Sequence, residues 1–165
     1  MVAMGIVRMT EVSADAGPLV LIAEDDTASR DLYRMVLVRE GMRIVDTASG
    51  RAVVDLARQH RPCVILLDGR LPDLAGEGVV RALKADDGLC DIPVVAATGI
   101  VDRSIEDWRA AGFDDVLFKP IRLEALIKTV RRYANAAEQP TANGTNPQSP
   151  DHAPKCGGVT TLVGN

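Results

Sequence analysis

Val64-Ile65-Leu66-Leu67 is four apolar residues without polar alternation, and Asp68-Gly69-Arg70-Leu71-Pro72 follows at once. A strand with one wet face alternates apolar and polar side chains. A strand covered on both faces reads instead as an unbroken aliphatic run. The stretch therefore predicts an interior strand that ends at an acid. The same pattern recurs along the chain. Leu19-Val20-Leu21-Ile22-Ala23 stops at Glu24-Asp25-Asp26, and Arg43-Ile44-Val45 is a weaker copy. Val94-Val95-Ala96-Ala97 stops at Thr98, and Val116-Leu117-Phe118 stops at Lys119-Pro120.

Helical spacing fills the intervals. Leu32, Met35 and Val36 share one predicted face, as do Val53, Leu56 and Ala57, and then Val79, Val80 and Leu83. Ile105 and Trp108 are three apart, and Leu123, Leu126, Ile127 and Val130 form the clearest stripe. Strands alternating with helices pair in parallel through right-handed crossovers. Five such units between residues 19 and 137 predict an open, doubly wound α/β sheet with helices on both faces, too few for an eight-unit barrel.

The flanks differ in composition. Residues 1–18 read as a polar leader ending at Gly17-Pro18, without the basic start and long apolar stretch of a secretory signal. Residues 138–165 hold four of the chain's nine prolines, which with their polarity predicts a disordered tail or an interaction peptide. The 165 residues thus allow one domain, 19–137, between two flanks. No run of eighteen apolar residues occurs, so no membrane insertion is expected. A net charge of −4 argues against direct nucleic-acid binding, which needs a basic surface. Cys63, Cys90 and Cys156 are odd in number and scattered, which favours neither a disulfide framework nor a zinc site and fits the cytoplasm.

Ligands of open parallel sheets bind beyond the carboxyl ends of the strands. Glu24 and Asp25 end the first run, Asp68 the third, Thr98 the fourth and Lys119 the fifth, so these five should converge. Singly, each has an ordinary explanation. Asp26 or Thr27 should cap a helix, and a lysine before a proline can be a solvated turn residue. Jointly they favour chemistry. Two like charges roughly 4 Å apart repel by about 4 kcal/mol at an effective dielectric near 20, so three carboxylates call for a cation. Oxygen donors suit Mg²⁺, which keeps room for phosphate oxygens. Thr98 would offer such a group a hydroxyl, and Lys119 a fixed positive charge.

The stretches LIAEDD (21–26), VILLDGRLPDLAG (64–76), VVAATG (94–99) and VLFKP (116–120) resemble the receiver domain of two-component response regulators, in order and in spacing. That resemblance implies a flavodoxin-like sheet of strand order 2-1-3-4-5. It implies Asp68 as phosphoacceptor, and Glu24, Asp25, Asp68 and the backbone carbonyl of Arg70 as ligands of Mg²⁺ or Mn²⁺. Thr98 would be the switch hydroxyl and Lys119 the lysine that contacts the phosphoryl group, with Pro120 often in a cis peptide. The implied donor is a sensor histidine kinase or a histidine phosphotransfer protein. The output would be a downstream protein, met through the helix 4–strand 5–helix 5 face at about residues 101–134, a face that could also form a homodimer. Such a protein is a phosphoacceptor with slow self-dephosphorylation and not an enzyme.

Departures from the pattern are informative. Val116 stands where an aromatic partner of the switch hydroxyl is usual, with Phe113 and Phe118 nearby and Phe118 expected in the core. Arg70 and Ile100 flank the expected phosphoryl position, and a bulky Ile100 should restrict attacking water. Trp108 is read as packing or as a partner contact, Arg131-Arg132 as a charge pair at a helix end, and His60 and His152 as solvated. Two other readings stay open: a degenerate receiver that binds partners without phosphorylation, and a Mg²⁺-dependent phosphohydrolase with an aspartyl nucleophile. The latter usually carries Asp-x-Asp on its first strand, which this chain lacks.

Overall fold

The computed structural model describes residues 8–9 and 17–138. Its elements are β1 (Arg8–Met9), β2 (Leu19–Ala23), α1 (Thr27–Arg39), β3 (Arg43–Thr47), α2 (Ala52–His60) and β4 (Val64–Asp68). There follow α3 (Gly76–Lys84), β5 (Val94–Thr98), α4 (Ile105–Ala110), β6 (Asp115–Phe118) and α5 (Leu123–Glu138). Five strands are parallel in the order β3-β2-β4-β5-β6, which is the 2-1-3-4-5 order with helices between consecutive strands. The sheet has one more strand than expected. β1, inside the stretch read as a leader, pairs antiparallel with β3 through Arg8 opposite Asp46 and Met9 opposite Val45. Two residues carry too little periodicity to announce a strand, and an edge ladder recruits them through backbone groups alone.

Strand alternation divides the core between the two faces. Leu21, Val45, Ile65, Leu67, Val94 and Ala96 pack with Val53, Leu56, Val79, Val80, Leu83 and Trp108 from α2, α3 and α4. Val20, Ile22, Ile44, Leu66 and Val95 pack with Tyr33, Leu37, Leu126 and Val130 from α1 and α5. Both faces of β4 are sealed, which is why its sequence shows no polar alternation.

Four local expectations are corrected. On α1 the buried positions are Tyr33 and Leu37, while Leu32 and Met35 are exposed. Phe118 is 37% exposed and lies outside the core. Leu123 is exposed, and the buried stripe of α5 is Leu126, Val130 and Ala134. Arg131 and Arg132 are not at a helix end, because α5 continues to Glu138; they pair with Glu40 and Asp115. Cys63 is half-buried, its thiol donating to Leu19 O, whereas Cys90 is disulfide-bonded, a link that scattered cysteines do not announce. His152 and Cys156 lie outside the described residues.

Candidate functional site

The carboxyl edge of the sheet gathers the polar residues that end the apolar runs. Glu24 follows β2, its N–H bonded to Thr47 O at 3.0 Å. Asp26 then caps α1, accepting from Ser29 N at 2.8 Å, so the chain turns sharply and leaves Asp25 exposed between them. Asp68 is the last residue of β4 and is 8% exposed. Thr98 ends β5, fully buried, with its Oγ1 accepting from Ile100 N at 3.1 Å. Lys119 leaves β6 with its N–H on Thr98 O at 2.7 Å, and the Lys119–Pro120 peptide is cis.

These side chains meet. Lys119 Nζ lies 2.7 Å from Glu24 Oε2 and 2.7 Å from Asp68 Oδ2. One carboxylate oxygen from each of Glu24, Asp25 and Asp68 falls within 4.8 Å of the others. The second oxygen of Asp68 accepts from the N–H of Arg70 at 2.8 Å, so the backbone aims this carboxylate. Burial pushes the Glu24 carboxyl up to about 7, with the Lys119 ammonium pulling the other way and Asp68 adding to the rise. Burial would lower Lys119, but hydrogen bonds to Asp68 and Glu24 outweigh it and raise the ammonium to about 12. Lys119 is therefore a permanent cation. Once Glu24 is ionised, three carboxylates against one ammonium leave an excess of negative charge that a divalent cation would offset. The donors are hard oxygens, one acid is solvent-facing and two are buried. This set fits Mg²⁺ or Mn²⁺.

Further residues support the site, and Arg30 among them carries no signal in the sequence. Arg30 Nη1 donates to Glu24 O at 2.6 Å and Asp25 O at 3.3 Å, and its Nε lies 3.5 Å from buried Asp46. It thereby holds the acidic turn from beneath. Gly69 and Gly76 are required by close approach, since a Cβ on Gly76 would lie 2.7 Å from Asp68 O. Asp73 ties the loop after β4 to the loop before α2, accepting from Ser49 Oγ at 2.5 Å, Gly50 N at 2.8 Å and Arg51 N at 3.2 Å. Burial alone would raise Asp73, but these hydrogen bonds prevail and bring it down to about 2. Trp108 is 1% exposed, so it is packing and not a surface contact. Val116 is half-buried against the same core layer as Trp108.

Residues 20–131 match the family model of the response regulator receiver domain. The polar-differentiation response regulator DivK of Brucella anthropi is 36% identical over 119 residues, which is 72% of this chain and 97% of DivK. Among solved structures, the chemotaxis response regulator CheY4 of Vibrio cholerae is 27% identical with a TM-score of 0.65, covering 71% of this chain and 98% of that one. The receiver domain of the sensor histidine kinase PA1611 of Pseudomonas aeruginosa is 28% identical with a TM-score of 0.67, covering 73% and 99%. That neighbour holds a magnesium ion coordinated in its active site cleft.

Proposed function

Starting from a chain that belongs to the response regulator receiver domain family, we propose that it is a phosphoreceiver with Asp68 as acceptor. A carboxylate oxygen of Asp68 attacks the phosphorus of a phosphohistidine on a sensor kinase or phosphotransfer protein. An O–P bond forms, the P–N bond breaks, and the imidazole leaves with its electron pair and takes a proton from solvent. Phosphoryl transfer asks a protein mainly for alignment and charge stabilisation. The Arg70 amide and the Lys119 ammonium fix the two oxygens of Asp68 and so supply the alignment. Lys119 stays charged throughout and faces the incoming oxygens. Glu24, Asp25, Asp68 and the Arg70 carbonyl would hold Mg²⁺ or Mn²⁺, which supplies Lewis-acid stabilisation of the phosphoryl oxygens when bound. Thr98 would donate its hydroxyl to the acyl phosphate.

The observation that carries this reading is the single cluster of Glu24, Asp25, Asp68 and Lys119 at 2.7–4.8 Å, built by residues from three strand ends. The product carries about two negative charges where one stood, which biases the loop after β5 between conformations. The reporting surface would be α4, β6 and α5, where Ile105, Phe118 and Leu123 are exposed. Its occupant would be a downstream protein or a second copy of the chain. The cell compartment in this reading is the cytoplasm; among the described residues no helix is long and apolar enough to cross a membrane. Ile100, half-buried at the core edge, would slow water attack and lengthen the life of the acyl phosphate.

Acetyl phosphate with Mg²⁺ tests the proposal by intact mass. One phosphoryl adduct, absent in Asp68→Asn, is the expected result. No adduct would favour a binding module that works without phosphorylation. Repeated turnover of small phosphoesters would favour a phosphohydrolase.

A further inference from the structure

Trp108 is the chain's one tryptophan, and although it stands on α4 its ring reaches the acceptor loop. A Cβ built on Gly69 would lie 2.8 Å from Trp108 Cη2 and 3.0 Å from Thr98 Oγ1. The ring edge and the hydroxyl thus press on one spot of backbone, beside Asp68. Phe113 packs edge-to-face on the indole, with centroids 5.1 Å apart and planes at 81°. The guanidinium of Arg103 lies over the ring, 4.7 Å from its centroid, and pairs with Glu77 on α3. Trp108 Nε1 is buried without a hydrogen-bond partner, a cost that a packing chosen only for stability would avoid.

The loop from Gly99 to Arg103 is consequently fastened at both ends. At its start, Ile100 N–H is bonded to Thr98 Oγ1. At its end, Arg103 is held by Glu77 and by the face of Trp108. A phosphoryl group on Asp68 sits beside Gly69 and attracts the Thr98 hydroxyl. Any shift of Thr98 or Gly69 removes a wall of the space that holds the indole. Close-packed interiors answer such a change by moving to a second arrangement, not by stretching.

We propose that Trp108 is a positioning residue: its wedge against Gly69 and Thr98 transmits the state of Asp68 to the 99–103 loop and α4, and the Arg103–Glu77 pair latches its resting position. The inference rests on the phosphoacceptor reading and deepens it. The phosphorylated form has the latch open and the indole less shielded.

The full chain is treated with Mg²⁺ and acetyl phosphate, with the adduct read by intact mass and the indole by acrylamide quenching of its fluorescence. The quenching constant should rise about twofold with the adduct, and neither should change in Asp68→Asn. E77Q and R103Q alter the net charge in opposite senses but both release the latch. Releasing a half-buried, solvent-accessible ion pair shifts its equilibrium by about two- to fivefold, so both variants should raise quenching before any phosphorylation. An adduct with unaltered quenching overturns the inference, as do opposite baseline shifts in the two variants, which would report charge alone. Absence of an adduct overturns the phosphoacceptor reading itself, and the inference with it.

Discussion

Lys119 bonds two acids at once, and that fixes what its loss must do. Without it, Glu24 and Asp68 face each other with no cation between them. Lys119→Met should lower the rate of adduct formation from acetyl phosphate by about 100-fold, the scale for removing one preorganised donor from a charged transition state. Intact mass against time measures it, and circular dichroism confirms that the fold is kept. Gly69 makes a separate prediction. Its side-chain position is already filled by Trp108 and Thr98, so Gly69→Ala should destabilise the protein by about 1–3 kcal/mol in urea unfolding, the cost of overpacking. An unchanged midpoint would mean that the loop after Asp68 moves aside freely.

Element by element, the strands were the legible part. Burial on both faces erases polar alternation, so Val64–Leu67 could be only an interior strand, and the first polar residue after each run marked the carboxyl edge. Helix faces were less legible. On α1 the apolar residues outnumber the positions that fit under a helix, and the sequence does not say that Tyr33 and Leu37 win over Leu32 and Met35. Asp46 escaped notice because it sits inside β3, where the arrival of Arg30 and Arg34 from α1 helps make a buried acid tolerable. The supporting role of Asp73 likewise depends on a loop distant in sequence. The short α4 owes its start to a reciprocal cap, Ser104 Oγ accepting from Asp107 N at 3.1 Å and Asp107 Oδ2 from Ser104 N at 3.1 Å. Six residues give a helix little cooperativity of its own. Ser104→Ala should therefore cost about 1 kcal/mol and speed amide exchange within α4 far more than within α5, as hydrogen exchange would record.

At the scale of the whole molecule, the titrations of Glu24 and Asp73 set an unusual dependence of stability on pH. Glu24 has its folded value raised from 4.5 to about 7 by burial. The folded state therefore binds the proton more tightly than the unfolded chain, and this stabilisation, complete below 4.5, is lost as pH rises through 7. Asp73 is lowered from 3.8 to about 2 by its hydrogen bonds against the effect of burial. Its contribution is present above 3.8 and is lost as pH falls toward 2. The sum of these two contributions is greatest between the two limbs, on the acid side of neutrality. In the phosphoreceiver reading Mg²⁺ should reverse the upper limb, because metal and proton would compete for the same carboxylates and ligand binding adds RT ln(1 + [L]/Kd). Thermal unfolding in EDTA should thus show the melting temperature falling from pH 5 to pH 7.5. With millimolar Mg²⁺ the gain over EDTA should grow across the same interval. Glu24→Gln has no proton to lose, so it should flatten the EDTA profile and weaken the response to metal at every pH. A melting temperature that rises from pH 5 to pH 7.5 in EDTA would show that Glu24 keeps its charge in the folded protein, with the Lys119 ammonium outweighing its burial.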